Sequence, residues 1–149
     1  MKKLLSLLNY LLSFFYPRLC VGCQKALLKD EILICLHCLT HLPETRYHLY
    51  EDNPLKKIFR GRVKTERVAS LLFYKKGNQV QHIIHHLKYK GDKEIGTLLG
   101  SYYGRELILL LDFQSIDIIL PIPLHKKKER KRGYNQSEWI AKGLSEGMH

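Results

Sequence analysis

Ile116-Asp117-Ile118-Ile119-Leu120-Pro121-Ile122-Pro123-Leu124-His125-Lys126-Lys127-Lys128-Glu129-Arg130-Lys131-Arg132-Gly133-Tyr134-Asn135-Gln136 is the stretch on which the fold class turns. It opens as a short β-branched run over 116–120, which predicts a strand, and the two prolines at 121 and 123 stop it because they cannot donate to a β ladder. Six cations follow in the seven positions 126–132. Asn135 is a good helix N-cap, and Glu138 three residues on completes a capping box for a helix over 136–144. Strand, basic loop and helix start is the order in which open α/β sheets gather phosphate, because ligands collect at strand ends and helix amides point at anions. Arginine adds forked hydrogen bonds to the Coulombic attraction. Charge alone fits equally a solvated basic turn or a nucleic-acid patch without small-molecule specificity.

Upstream, Arg67 to Tyr74 reads as a buried strand that ends in a Gly77-Asn78 turn. The period then changes. Val80, Ile83, Ile84 and Leu87 stand at helical intervals, and Gly91 follows where a C-terminal cap belongs. His82, His85 and His86 on that helix read as a solvated face, since no carboxylate or cysteine at matching spacing makes them a ligand set. A second helix is expected over 93–111. Its Gly96, Gly100 and Gly104 recur every four residues, which predicts close packing against a sheet, while Lys93, Glu94, Arg105 and Glu106 exclude a membrane span.

All four cysteines fall in two Cys-x-x-Cys pairs, Cys20/Cys23 and Cys35/Cys38, eleven residues apart. A two-residue gap lets both thiolates of a pair turn toward one point, and Gly22 eases the turn. Two such knuckles supply a closed tetrahedral shell for a structural zinc ion, with no open position for a substrate water. Disulfides, an iron–sulfur cluster and thioredoxin-like redox chemistry remain alternatives, and His37 and His41 are possible substitute ligands that read better as surface residues. Ile32-Leu33-Ile34 predicts a short strand between the knuckles.

The N-terminal run, with Leu4, Leu8, Leu11, Leu12 and Phe15 on one face, predicts an amphipathic helix over 1–17 ended by Pro17. It has the basic start of a secretory signal but no small-residue cleavage site, and it is too short to span a bilayer. The expected organisation is therefore this helix, a zinc ribbon over 18–45, and a further domain over 55–149, with a boundary in the polar stretch between Leu42 and Pro54. With 149 residues, 45% of them hydrophobic, the chain suits one domain plus a small metal-stapled module, and the formal charge of +11 suits polyanionic partners.

Four features together resemble the ComF family of competence-associated proteins: Phe15 to Cys23, the second knuckle, His86-Leu87-Lys88-Tyr89-Lys90-Gly91-Asp92, and Leu120 to His125 running into Arg130 to Gln136. The resemblance implies an α/β fold, a zinc ribbon followed by a type I phosphoribosyltransferase-like domain that binds phosphoribosyl pyrophosphate with magnesium, and a role in DNA uptake or processing alongside competence proteins. It makes Lys126, Arg130 and Arg132, with Gly133, Asn135 and more weakly Lys88, the expected contacts to pyrophosphate or another polyanion. It also implies a cytoplasmic protein whose membrane association, if any, runs through partners. The family's acidic pair and Thr-Thr-Gly turn, which cradle the ribose and 5′-phosphate, have no counterpart here. The domain is thus expected to be incomplete and inactive as a transferase alone. A non-enzymatic adaptor for single-stranded nucleic acid, using the ribbon, the basic loop and aromatics such as Tyr134, is the competing expectation.

Overall fold

The structure, a computed structural model, describes residues 16–149, so the helix expected over 1–17 falls almost wholly outside the described residues. Seven α-helices follow in order: α1 (Leu36–Thr40), α2 (Pro54–Phe59), α3 (Gln79–Tyr89), α4 (Glu94–Leu107), α5 (Leu111–Gln114), α6 (Lys126–Arg132) and α7 (Gln136–Met148), with a 3-10 turn at Tyr47–Leu49.

Local sequence explains the ends of these helices. Asn78 caps α3 by accepting from the Gln81 N–H, and Gly91 follows its end at φ +88°, where a side chain would be strained. Asn53, buried, caps α2 by accepting from the N–H groups of Leu55 and Lys56. Its amide also donates to the carbonyls of Tyr47, Tyr50 and Val68, at 3.1, 3.1 and 2.8 Å, so one side chain ties the turn at 47–50 and the segment at Val68 to the start of α2.

The expectation of an α/β fold with a phosphoribosyltransferase-like domain is overturned. Among the described residues no sheet forms, and the β pairing consists of two isolated bridges, Leu19 with Ala26 and Glu44 with Leu72. The run from Arg67 to Tyr74 is irregular and tied to the segment at 43–45, where Phe73 N–H donates to Pro43 O (2.8 Å) and Thr45 N–H to Leu71 O (3.0 Å). Residues 116–120 take no regular secondary structure and pair with no strand, with Ile118 72% and Leu120 83% exposed. Residues 32–34 form bends, not a strand. β-branched residues favour a pleated, half-buried surface, and they form a strand only where a neighbouring strand supplies the ladder.

The glycine repeat has a helix as its partner, and the sheet expected there is absent. Gly100 and Gly104 of α4 face Gly143 and Gly147 of α7, Gly96 faces Trp139 and Ile140, and a methyl group on Gly104 would lie 2.6 Å from the Leu144 carbonyl oxygen. One on Gly143 would meet the Thr97 carbonyl. The two backbones touch because neither helix has a Cβ at the crossing, the packing mode of small residues four apart. Trp139 closes one end of the contact, with the Lys93 ammonium 4.4 Å from its ring centroid. Packing against α4, α3 buries Val80, Ile83 and Leu87 on one face. Ile83, Leu87 and Ile95 are almost wholly withdrawn from water, each contributing about 1.5–3 kcal/mol of hydrophobic stabilisation.

Candidate metal centre and anion-binding face

In the first knuckle, Cys20 N–H donates to Lys25 O and Gln24 N–H returns to Cys20 O, both at 2.8 Å. Gln24 adopts φ 61°, so the chain reverses tightly and turns both thiols inward. Cys35 is the N-cap of α1, its sulfur accepting from the Cys38 N–H at 3.4 Å, and its own N–H donates to the Cys20 sulfur at 3.3 Å. Val21 N–H to Leu33 O, at 2.9 Å, ties the knuckles together.

All four sulfurs lie within 4.8 Å of one another, and those of Cys23 and Cys35 are 3.7 Å apart. A tetrahedron with bonds near 2.3 Å has sulfur–sulfur edges of about 3.8 Å, so the set fits a single metal ion such as zinc. Burial pushes the Cys20 thiol up, but N–H groups of Cys35, Cys23 and Gly22 outweigh it and bring it down to about 7. Burial and then the neighbouring thiols push Cys38 well up, and burial also raises Cys35. Without a cation the four sulfurs resist sharing negative charge, and a bound divalent ion would supply the compensation. His37 and His41 are exposed and stack on each other at 4.3 Å between ring centroids, outside the cluster.

The knuckles are continuous with the helical body. Cys20, Val21, Ile34 and Cys38 belong to the same buried cluster as Ile83, Leu87, Ile95 and Leu99. Gly22 sits at the joint, where an added Cβ would lie 3.1 Å from the Cys38 sulfur and 3.6 Å from Ile83 Cδ1.

The basic segment is a helix, not the loop that the sequence suggested. His125 caps α6 by accepting from the Lys127 N–H, and Gly133 ends it at φ 81°, its N–H returning to Glu129 O at 2.7 Å. Lys and Arg are good helix formers, and cations in the last turn suit the negative end of the helix, so the signal was present but was outweighed by the run of like charge. Lys126, Lys127, Lys128, Arg130 and Lys131 are exposed, and among the described residues none of the six cations forms an ion pair.

The expected anion contacts do not share one recess. Lys126 and Arg130 line a shallow one with His125 and Lys127, whereas Lys88 lines another with Tyr74 and Tyr89. Arg132 bridges toward the second, its guanidinium 5.3 Å from the Tyr89 ring centroid and hydrogen-bonded to Gln136 Oε1 at 2.6 Å. Asn135 is buried and occupied internally. Its carbonyl side accepts from Ser137 N–H (3.1 Å), while its amide donates to Ile122 O (3.1 Å) and Glu138 Oε1 (3.3 Å). Tyr134, expected to stack on bases, is half-buried and donates its hydroxyl to Leu87 O. Tyr74 and Tyr89, neither of which the sequence marked as a stacking residue, are exposed rings that line the same recess as Lys88. No sequence signal distinguishes these tyrosines, because exposure depends on what packs around them.

No protein-family profile and no solved structure matches the chain. Its homologues include a ComF protein, as the sequence resemblance implied, and proteins named for DNA utilization. The DNA utilization protein YhgH of Escherichia coli (strain K12) is 27% identical over 134 residues, covering 88% of this chain and 55% of that protein. The protein of the same name from Shigella flexneri aligns with the same identity and coverage. Competence protein ComFC of Bacillus subtilis (strain 168) is 23% identical over 134 residues, covering 89% of this chain and 53% of its own length. The chain thus spans about half the length of these relatives.

Proposed function

We propose that this protein acts in DNA utilization or competence by holding the phosphate backbone of DNA on the exposed cations of α6, with a zinc ion in the four-thiolate site keeping the scaffold rigid. The observation that carries the reading is the unpaired basic helix: six cations on seven residues, held on a capped helix and not neutralised by any described carboxylate. Like charges kept together in this way oppose folding, and a polyanion bound across them relieves the repulsion. The names of the relatives support the coarser part of this reading, DNA utilization or competence.

The closed shell of sulfurs leaves no ligand position free, so the metal is structural, holding Cys20 to Cys38 against α3. Phosphoribosyl pyrophosphate with magnesium is not part of this proposal, because it depends on strand ends that the described residues do not form. Among the described residues no helix is long and apolar enough to cross a membrane.

Binding to a fluorescein-labelled oligonucleotide, followed by anisotropy across a salt series, tests the proposal. Affinity should fall with salt by a log–log slope of about 0.7 for each single-strand phosphate engaged, and the triple variant K127E/R130E/K131E should weaken binding and flatten that slope. Equal affinity and slope in the variant would remove α6 from the interface.

A further inference from the structure

We propose that the recess between Tyr74 and Tyr89 seats an unpaired nucleobase, making this face selective for single-stranded DNA. The inference rests on the DNA reading above and adds to it a stacking site that phosphate contacts alone do not require.

Tyr74 and Tyr89 are 63% and 60% exposed, yet both line the same recess, whose remaining wall is Gln81, Ile84, His85 and Lys88. Two part-open aromatic rings beside Ile84 leave ring surface in water, where a base would cover it. The His85 ring lies 5.2 Å from that of Tyr89 at 48°, adding a third flat surface at the rim. Gln81 Oε1 accepts from the Gly77 N–H at 2.5 Å, which fixes the side chain while its amide NH2 has no partner among the described residues. That group is a donor available to a base edge.

The cations fit a strand running through this recess. Lys75 and Lys76, both exposed, follow Tyr74, and Lys88 lies within the wall. At the other side Arg132 is held by Gln136 with its guanidinium over Tyr89, joining the recess to the exposed cations of α6. Phosphates flanking a seated base would therefore meet positive charge on both sides. A duplex hides its base faces within the stack, so only an unpaired nucleotide can use the rings, and stacking on aromatics is tolerant of sequence.

The test compares three probes of equal length on the full chain: an oligothymidine strand, an abasic strand with the same phosphates, and a duplex. Oligothymidine should bind about tenfold more tightly than the abasic strand. Tyr74→Ala and Tyr89→Ala should each erode that preference while leaving the salt slope unchanged, and Tyr89→Phe should retain it. Both rings are exposed, so the denaturation midpoints of the variants should match the parent, and a matched midpoint makes the binding comparison valid. Equal binding of the oligothymidine and abasic strands, or a preference that survives both alanine variants, overturns the recess while the phosphate reading stands. Failure of every probe to bind overturns both.

Discussion

Tyr102 and Tyr103 are neighbours on α4 whose hydroxyls are held by different physics. Tyr102 donates to Glu44, and that bond, followed by burial, raises its pKa to about 12 from the ordinary 10.0. Burial is the main cause for Tyr103, also raised to about 12, with its hydroxyl 3.3 Å from Nδ1 of buried His48. A folded value above the unfolded one means that stability is fully present below about pH 10 and is lost as pH climbs through about 12, because ionisation removes the donated proton. At pH 8 the Tyr102→Phe variant should unfold at a lower urea concentration than the parent. That gap should narrow as the pH approaches 12, since the parent loses the bond the variant never had. A gap independent of pH would show that the Glu44 contact does not govern the titration. At this scale sequence reading did well where bonding is local. The capping role of Asn135 and the turn at Gly91 were both legible, whereas the Tyr102–Glu44 contact joins residues 58 positions apart and had no local sign.

Between elements, the crossing of α4 and α7 depends on what the glycines lack. In an exposed helix an alanine replacing glycine stabilises by about 1 kcal/mol. At Gly104 the new methyl would lie 2.6 Å from the Leu144 carbonyl oxygen and 3.0 Å from Gly147 Cα. Backbone cannot yield as a flexible side chain would, so overpacking costing about 1–3 kcal/mol or more outweighs the propensity gain. Gly104→Ala is therefore expected to lower the denaturation midpoint, and a midpoint that rises would show the helices free to separate. The four-residue repeat announced a close approach in the sequence, but the partner was legible only in three dimensions. Gly143 and Gly147 carry the complementary repeat on α7, and nothing local says that the two rows meet.

Across the whole molecule, the metal site and the helices are energetically linked through one core. Cys20, Val21 and Cys38 pack in the cluster that contains Ile83, Leu87 and Ile95. Structural zinc sites in small peptides supply about 10–16 kcal/mol of apparent binding energy, which in such a shared core becomes folding energy. Chelation is expected to lower the thermal midpoint and to increase hydrogen exchange at the amides of Ile83 and Leu87. Cys38→Ser should do the same without chelator. If exchange at α3 stays unchanged while the metal leaves, the knuckles and the helical body are independent units.

The sequence alone determined what is written in short-range covalent spacing: the four-thiolate set, the helix caps, the amphipathic face of α3, the concentration of positive charge at 126–132, and the likeness to ComF proteins. It did not determine which extended run would find a partner, and the expected sheet is absent because residues 116–120 and 67–74 never lie side by side. Strand pairing, the meeting of two glycine rows and the exposure of Tyr74 and Tyr89 are relations between distant residues. Their free energies depend on which surfaces come into contact, so only the tertiary structure decided them.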